Sequence, residues 1–176
     1  MIPPQRKSTT VSWHEPDAVK DEAQALDGIA YVRAVRDGTL PADPLMEALG
    51  LRVIEAQDGR VVVSGEPAEL HLNLGGVVHG GYLSTLMDCA TGYALHTVLS
   101  RGRTAPHVSA TYNFLRIGLE GVALRCEATV LRSGDRIGHV RAEVTDMEGR
   151  LLATGETVHV TIDTATDRRM QSGPSA

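Results

Sequence analysis

LNLGGVVHGGYLSTLMDCATGYALHTVL, residues 72–99, is the segment on which the reading of the whole chain turns. Asp88 is its only charged side chain apart from the histidines His79 and His96. Leu83, Leu86, Met87, Ala90, Ala94 and Thr97/Val98 recur at helical spacing, so a long helix begins near Gly80 and buries that stripe. Ser84, Asp88, Thr91, Gly92 and Leu95 form a flank displaced from it, uncharged apart from Asp88. A carboxylate in an apolar segment costs free energy unless something pairs with it, and Asp is a poor mid-helix residue. The bland readings are a solvent-facing side chain or a structural acceptor. The sharper one is a carboxylate kept for chemistry, on a flank that a partner subunit covers.

On both sides of this helix the apolar period changes to two. LRVIEAQ (51–57), a turn at Asp58-Gly59 and RVVVSGE (60–66) read as a β-hairpin. PHVSATYNFLRI (106–117) alternates Val108, Ala110, Tyr112 and Phe114 on one face, with His107 and Ser109 together on the other. VALRCEATVL (122–131) alternates Val122, Leu124, Cys126, Ala128 and Val130. RIGHVRAEVTD (136–146) sets Val140, Ala142 and Val144 against Arg141, Glu143 and Thr145. Turns at Ser133-Gly134-Asp135 and Glu148-Gly149 lead to RLLATGETVHVTI (150–162). Two strands, one long helix and four strands imply an α+β domain, an antiparallel sheet with one face wrapped around the helix.

Ahead of that unit, residues 1–20 lack periodicity and read as a draped arm. DEAQALDGIAYVRAVRDG (21–38) reads as one helix on Ala25, Leu26, Ile29 and Val32, closed by Gly38 and Pro41. DPLMEALG (43–50) reads as a short helix with Asp43 at the N-cap, Pro44 first and Gly50 past its end. The organisation expected is an arm and helix over 1–42, the main domain over 43–162 and a mobile tail over 163–176.

The 176 residues, 42% hydrophobic and 22% charged, suit one folded domain able to bury a core, mostly aliphatic because aromatics are only 3%. A net charge of −5 argues against a nucleic-acid surface. Two histidines, an aspartate and a glycine-rich start argue against a membrane span over 72–99. Cys89 and Cys126 have no CxxC spacing, which fits a reducing cytoplasm and neither a disulfide framework nor a zinc site.

GGVVHGG (75–81) delivers the chain to a helix N-terminus whose backbone N–H groups lack intrahelical partners and carry partial positive charge. Such fixed dipoles stabilise an oxyanion developing on a carbonyl, and glycine admits the ligand closely. Asp88 lies about 12 Å along the axis from Gly80, at 1.5 Å per residue, too far to serve the same reacting atom in one chain. Two helices packed antiparallel in a dimer bring the N-terminus of one to the Asp88 of the other.

Asn73, Gly76, His79-Gly80-Gly81 and Asp88, followed by YNFLR (112–116), SGDRI (133–137) and DMEGRLLATGETVHV (146–160), resemble the PaaI-type acyl-CoA thioesterases of the hotdog fold. The resemblance covers roughly 43–162, and RDGTLPADPLMEALG (36–50) is similar to an extension of some members. It implies a hydrolase acting on acyl-CoA, with coenzyme A as part of the substrate and no other cofactor or metal. It implies a homodimer or dimer of dimers with the site shared between subunits. Asp88 would be the nucleophile or general base, and Asn73 would position water or the reacting group. The Gly80 N–H would polarise the thioester carbonyl, with His79 and Gly81 beside it. At the position where the family often carries Ser or Thr, this chain has His107, with Ser109 two residues on, so the third polar contact stays open between them. Arg116 and Arg136 are the best candidates for the phosphates of coenzyme A, because an Arg fork suits phosphate. Tyr82, Leu83, Tyr93 and Phe114 are candidates to line the acyl pocket. Two alternatives stand beside hydrolysis: a hotdog hydratase or dehydratase, which wants a His paired with a carboxylate, and a non-catalytic acyl-CoA binding domain.

Overall fold

The computed structural model describes residues 5–166, so most of the tail expected over 163–176 lies outside the described residues. In chain order the elements are α1 (Lys20–Ala25), α2 (Gly28–Asp37), α3 (Pro44–Leu49), β1 (Arg52–Gln57) and β2 (Arg60–Gly65). They are followed by α4 (Gly80–His96), β3 (Arg103–Thr104), β4 (His107–Phe114), β5 (Leu124–Ser133), β6 (Ile137–Asp146), β7 (Leu151–Val160) and β8 (Ile162–Asp163). One six-stranded antiparallel sheet runs in the order β1-β2-β5-β6-β7-β4, and β3 pairs with β8 apart from it. The strand–helix–strand order read from the sequence is the order observed.

The sheet closes on α4 as the period-two pattern requires. Val61, Val63, Leu124, Cys126, Ala128, Val140 and Val144 are fully buried in one core with Leu86, Met87, Ala90 and Ala94 of α4. Burying a Val or Leu side chain contributes about 1.5–3 kcal/mol, so this interface dominates the stability of the domain. On the outer face of β2, Val62 is equally buried. There Arg60 and Arg125 each bridge Glu55 and Glu127 at 2.7–2.9 Å, and the arginine stems cover the strand.

Three expectations need correction. The single helix over 21–38 is two helices, because Leu26 is extended and Asp27 starts a new helix, its side chain accepting from Ala30 N–H. The break seats Gly28 against the end of α4. Its N–H donates to Leu99 O at 3.0 Å, and a Cβ there would fall 1.7 Å from His96 O. Second, Leu95 and Thr91 need no partner subunit to cover them: both are fully buried, Leu95 against Gly138 of β6. Third, His107 and Ser109 do not share a face. A bulge in β4 sets His107 opposite His159 but Ser109 opposite Val158, one β7 residue for two of β4. His107 therefore faces α4 with Ala110, Tyr112 and Phe114, while Ser109 faces away.

β4 forms one edge of the sheet, bonded to β7 on one side only. Val108 is 58% and Phe114 53% exposed along it. Such an edge, neither charged nor covered, is a template for pairing with another strand.

Candidate active site

At the start of α4 the chain folds back through Asn73–Val77. Asn73 N–H donates to Val77 O at 2.9 Å, Gly76 N–H to Asn73 O at 3.0 Å, and Asn73 Oδ1 accepts from Gly75 N–H at 2.8 Å. Gly76 sits at φ +75°, a conformation in which a side chain is strained. His79 is the N-cap, and its Nδ1 accepts the Gly81 N–H at 2.8 Å. That bond consumes the Gly81 donor. The Gly80 N–H has no acceptor among the described residues, so it is the donor left free to meet a ligand.

The Phe114 ring lies over Gly80, 3.4–3.7 Å from where a Cβ would stand. Asn73, Gly80, Leu83, Phe114, Arg116 and Ile117 line one cleft of about 330 Å³. Arg116 donates from Nη1 to Leu151 O at 2.8 Å, which ties its guanidinium to the rim. The cleft thus unites three predicted residues, Asn73, Gly80 and Arg116, with an apolar wall. Tyr82 and Tyr93 are not part of it: both are 4% exposed and belong to the core. Leu83 and Phe114 do line it.

Asp88 stands apart, at mid-helix, with its side chain 52% exposed. Oδ1 lies 3.7 Å from His107 Nε2. His107 in turn reaches Thr91 Oγ1 at 3.1 Å and packs against His159 in a tilted ring contact, 4.0 Å between centroids. His159 is fully buried, its Nδ1 3.0 Å from Ala105 O and its Nε2 2.8 Å from Thr157 Oγ1. Burial pushes the His159 imidazole down to about 4, with the neighbouring His107 adding to the effect and Ala105 O opposing it. Burial also lowers His107, against the pull of the Asp88 charge. Tyr112, on the same inner face of β4, has its hydroxyl pKa raised by burial and then by Asp88.

The sequence reading missed His159, Thr157 and the role of Thr91. The signal was present in β7, whose inward positions Ala153, Gly155, Thr157 and His159 lack large apolar side chains. Ser109 faces away from this group. Arg136 lies in the β5–β6 turn, beside Thr161, whereas Arg116 lies near Leu151 at the opposite end of the sheet. One chain cannot bring both arginines to one phosphate group. Burial raises the Cys89 thiol to about 12 and raises Cys126 as well, which disfavours the thiolate at both. A second cavity, of about 410 Å³, lies at the far end of α4 among Val19, Leu26, Tyr31, Asp43 and His96, and contains none of the predicted site residues.

The helix that carries Gly80 and Asp88, and most of the sheet around it, lie in a region shared with known proteins. The family model of the thioesterase superfamily matches residues 75–153. The acyl-coenzyme A thioesterase PaaI of Escherichia coli is 32% identical over 111 residues, 63% of this chain and 77% of that protein. The chain belongs to the thioesterase superfamily. It is similar in structure to the E. coli PaaI protein of the phenylacetic acid degradation operon, with a TM-score of 0.68 and 27% identity over 74% of this chain and 93% of that one. A mutant PaaI from Thermus thermophilus superposes with a TM-score of 0.63 and 36% identity, covering 67% of this chain and 98% of that chain. The fold is therefore the hotdog fold of the PaaI-type members. Residues 1–74, with α1–α3, precede the matched region. Among the described residues no helix is long and apolar enough to cross a membrane.

Proposed function

We propose that this thioesterase hydrolyses an acyl-CoA to the free acid and coenzyme A at a site built from two subunits. Asp88 is the nucleophile or general base, and the Gly80 N–H is the oxyanion donor. The observation that carries the reading is the open edge of β4. A two-fold axis near the middle of β4 pairs the strand antiparallel with its copy and sets the Phe114 end of one against the His107 end of the other. Phe114 lies over Gly80, and His107 lies beside Asp88. Pairing these edges therefore brings the helix start of one chain to the partner's Asp88, and the roughly 12 Å separation within one chain is no obstacle. The same rotation moves the partner's Arg136 toward Arg116, so both can meet the phosphates of one coenzyme A.

In the water-mediated form, Asp88 takes a proton as water adds to the carbonyl carbon, and the oxygen that gains charge faces the Gly80 N–H. Collapse expels the thiolate, which takes the proton back. In the nucleophilic form, Asp88 adds directly and water then cleaves the mixed anhydride. Either way the leaving group needs little acid help, because thiols ionise near 8.5. Asn73 orients the reacting group from its anchored turn. The reading needs no metal and no cofactor beyond the coenzyme A of the substrate. It places the protein in the cytoplasm, in keeping with two free cysteines.

One observation favours a second reading: His107 beside Asp88 is the imidazole–carboxylate pair that an acyl-CoA hydratase wants. Free-thiol release from a panel of acyl-CoAs, run beside loss of enoyl absorbance from unsaturated ones, separates the two. Hydrolysis predicts thiol release by wild type and a fall of about a hundredfold or more in Asp88→Asn. Equal rates in the two proteins refute the assignment of Asp88. Enoyl loss without thiol release establishes the hydratase.

A further inference from the structure

The buried polar seam beside Asp88 asks for an explanation, because polar side chains at the heart of an otherwise aliphatic sheet are costly unless each is satisfied. Its protons can be assigned from partners. Ala105 O can only accept, so His159 Nδ1 carries a hydrogen. A neutral His159 then accepts at Nε2 from Thr157 Oγ1. The Thr91 hydroxyl has two carbonyl acceptors, Met87 O at 2.9 Å and Asp88 O at 3.1 Å. With its proton so engaged, Thr91 Oγ1 faces His107 Nε2 as an acceptor, and the other neighbour of Nε2 is the Asp88 carboxylate. Both partners place the hydrogen on Nε2.

We propose that His107 is a positioning residue for Asp88, presenting an Nε2–H that swings from Thr91 Oγ1 to the carboxylate when the site is occupied. The proposal rests on the thioesterase reading and adds a role that the reading does not require. His159 is the wall that makes it work. Its ring, fixed by two hydrogen bonds, packs against His107 at 4.0 Å between centroids with the planes tilted by 43°, and so limits the swing of the imidazole. Gly92 lies beneath the ring, and a Cβ there would stand in ordinary contact with His107 Cε1 at 3.4 Å. In the 3.7 Å contact seen here the N–H is shared away from Asp88, and a small rotation of the carboxylate closes it. A neutral donor orients Asp88 while leaving it anionic and basic. A protonated His107 would pair with it as an ion and blunt it. The charged and titratable groups around His107 are Asp88 and His96 on α4, His159 on β7 and Tyr112 on β4.

Two measurements test this. The first follows the His107 ring proton by NMR against pH, assigned by its absence in His107→Gln. Asp88→Asn should lower the His107 midpoint by about 0.8 of a pH unit, the effect of one charge at that separation in water. An unmoved midpoint overturns the pairing. This arm reads the pair whether or not wild type cleaves any thioester, so it fails independently of the proposed activity. The second compares kinetics. His107→Leu should lose about tenfold or more in kcat with little change in KM. His107→Gln, which keeps an amide N–H at the same reach and cannot titrate, should recover most of that kcat and lose the histidine limb of the pH profile. Undiminished kcat in His107→Leu, or a His107→Gln variant no better than a folded His107→Leu, overturns the positioning role.

Discussion

If each active site joins the helix start of one subunit to the carboxylate of the other, two inactive variants must rescue one another. Gly80→Pro suits this test. Gly80 is the first helical residue after the His79 cap, the position proline prefers. His79 is already extended, at φ −63° and ψ 137°, as a residue before proline requires. The substitution removes the N–H at the helix start that no acceptor uses among the described residues, and its Cβ would stand 3.4–3.7 Å from the Phe114 ring. Loss of an oxyanion donor costs about a hundredfold to a thousandfold in kcat. Asp88→Asn removes the other half. In a heterodimer of the two, one site carries both substitutions and the other carries neither. Random reassociation makes half the dimers mixed, so the mixture should recover about 25% of wild-type thiol release, far above either parent. The assay is thiol release from one acyl-CoA after co-refolding the two variants at equal amounts. Activity no greater than the sum of the parents, with mixed dimers verified by mass, refutes the shared site.

Gly28→Ala reports on how the N-terminal helices dock. Adding the methyl on an exposed helix stabilises by about 0.5–1 kcal/mol. Here the Cβ would overlap His96 O and break the bond to Leu99 O, so denaturant unfolding should show a net loss of about 2–3 kcal/mol. A gain in stability refutes that docking. The Arg60–Glu127 cluster contributes to acid stability. Glu127 is held down to about 2, chiefly by its hydrogen bonds to Arg60 and Arg125. A carboxyl depressed in the folded state contributes stability that is present above its ordinary value near 4.5 and is lost as pH falls toward 2. The unfolding midpoint of Glu127→Gln should therefore fall less steeply across that window than that of wild type. Parallel curves contradict the assignment.

Much of the fold was legible because each element's burial is written in its local period. Strand faces such as Val140, Ala142 and Val144, and the stripe from Leu83 to Ala94, depend only on backbone repeat and side-chain polarity. The same holds for the start of α4, where His79, Gly80 and Gly81 mark a cap and a bare N-terminus. Asp88 could be singled out by its charge in an apolar setting, whereas Asn73 was marked only by the family resemblance. What period alone misread were places where the chain departs from its repeat. Asp27 caps a helix within an apparent helix, because Gly28 must approach His96 O. The β4 bulge turns Ser109 to the far face from His107, and a bulge leaves no mark in a two-residue alternation.

Sequence by itself determined the order of the main elements and their core faces, and placed Gly80 and Asp88 on one helix. Those follow from spacing along one chain. Only the tertiary structure decided what meets what across chain-distant segments. It left the Gly80 N–H free by engaging the Gly81 N–H with His79, and it set Phe114 over Gly80. It also packed His159 behind His107 at the carboxylate. The physical reason is the same in each case. Hydrogen-bond direction, ring contact and bulge register depend on positions in space, and residues 52 apart, such as His107 and His159, carry no shared period from which to read them.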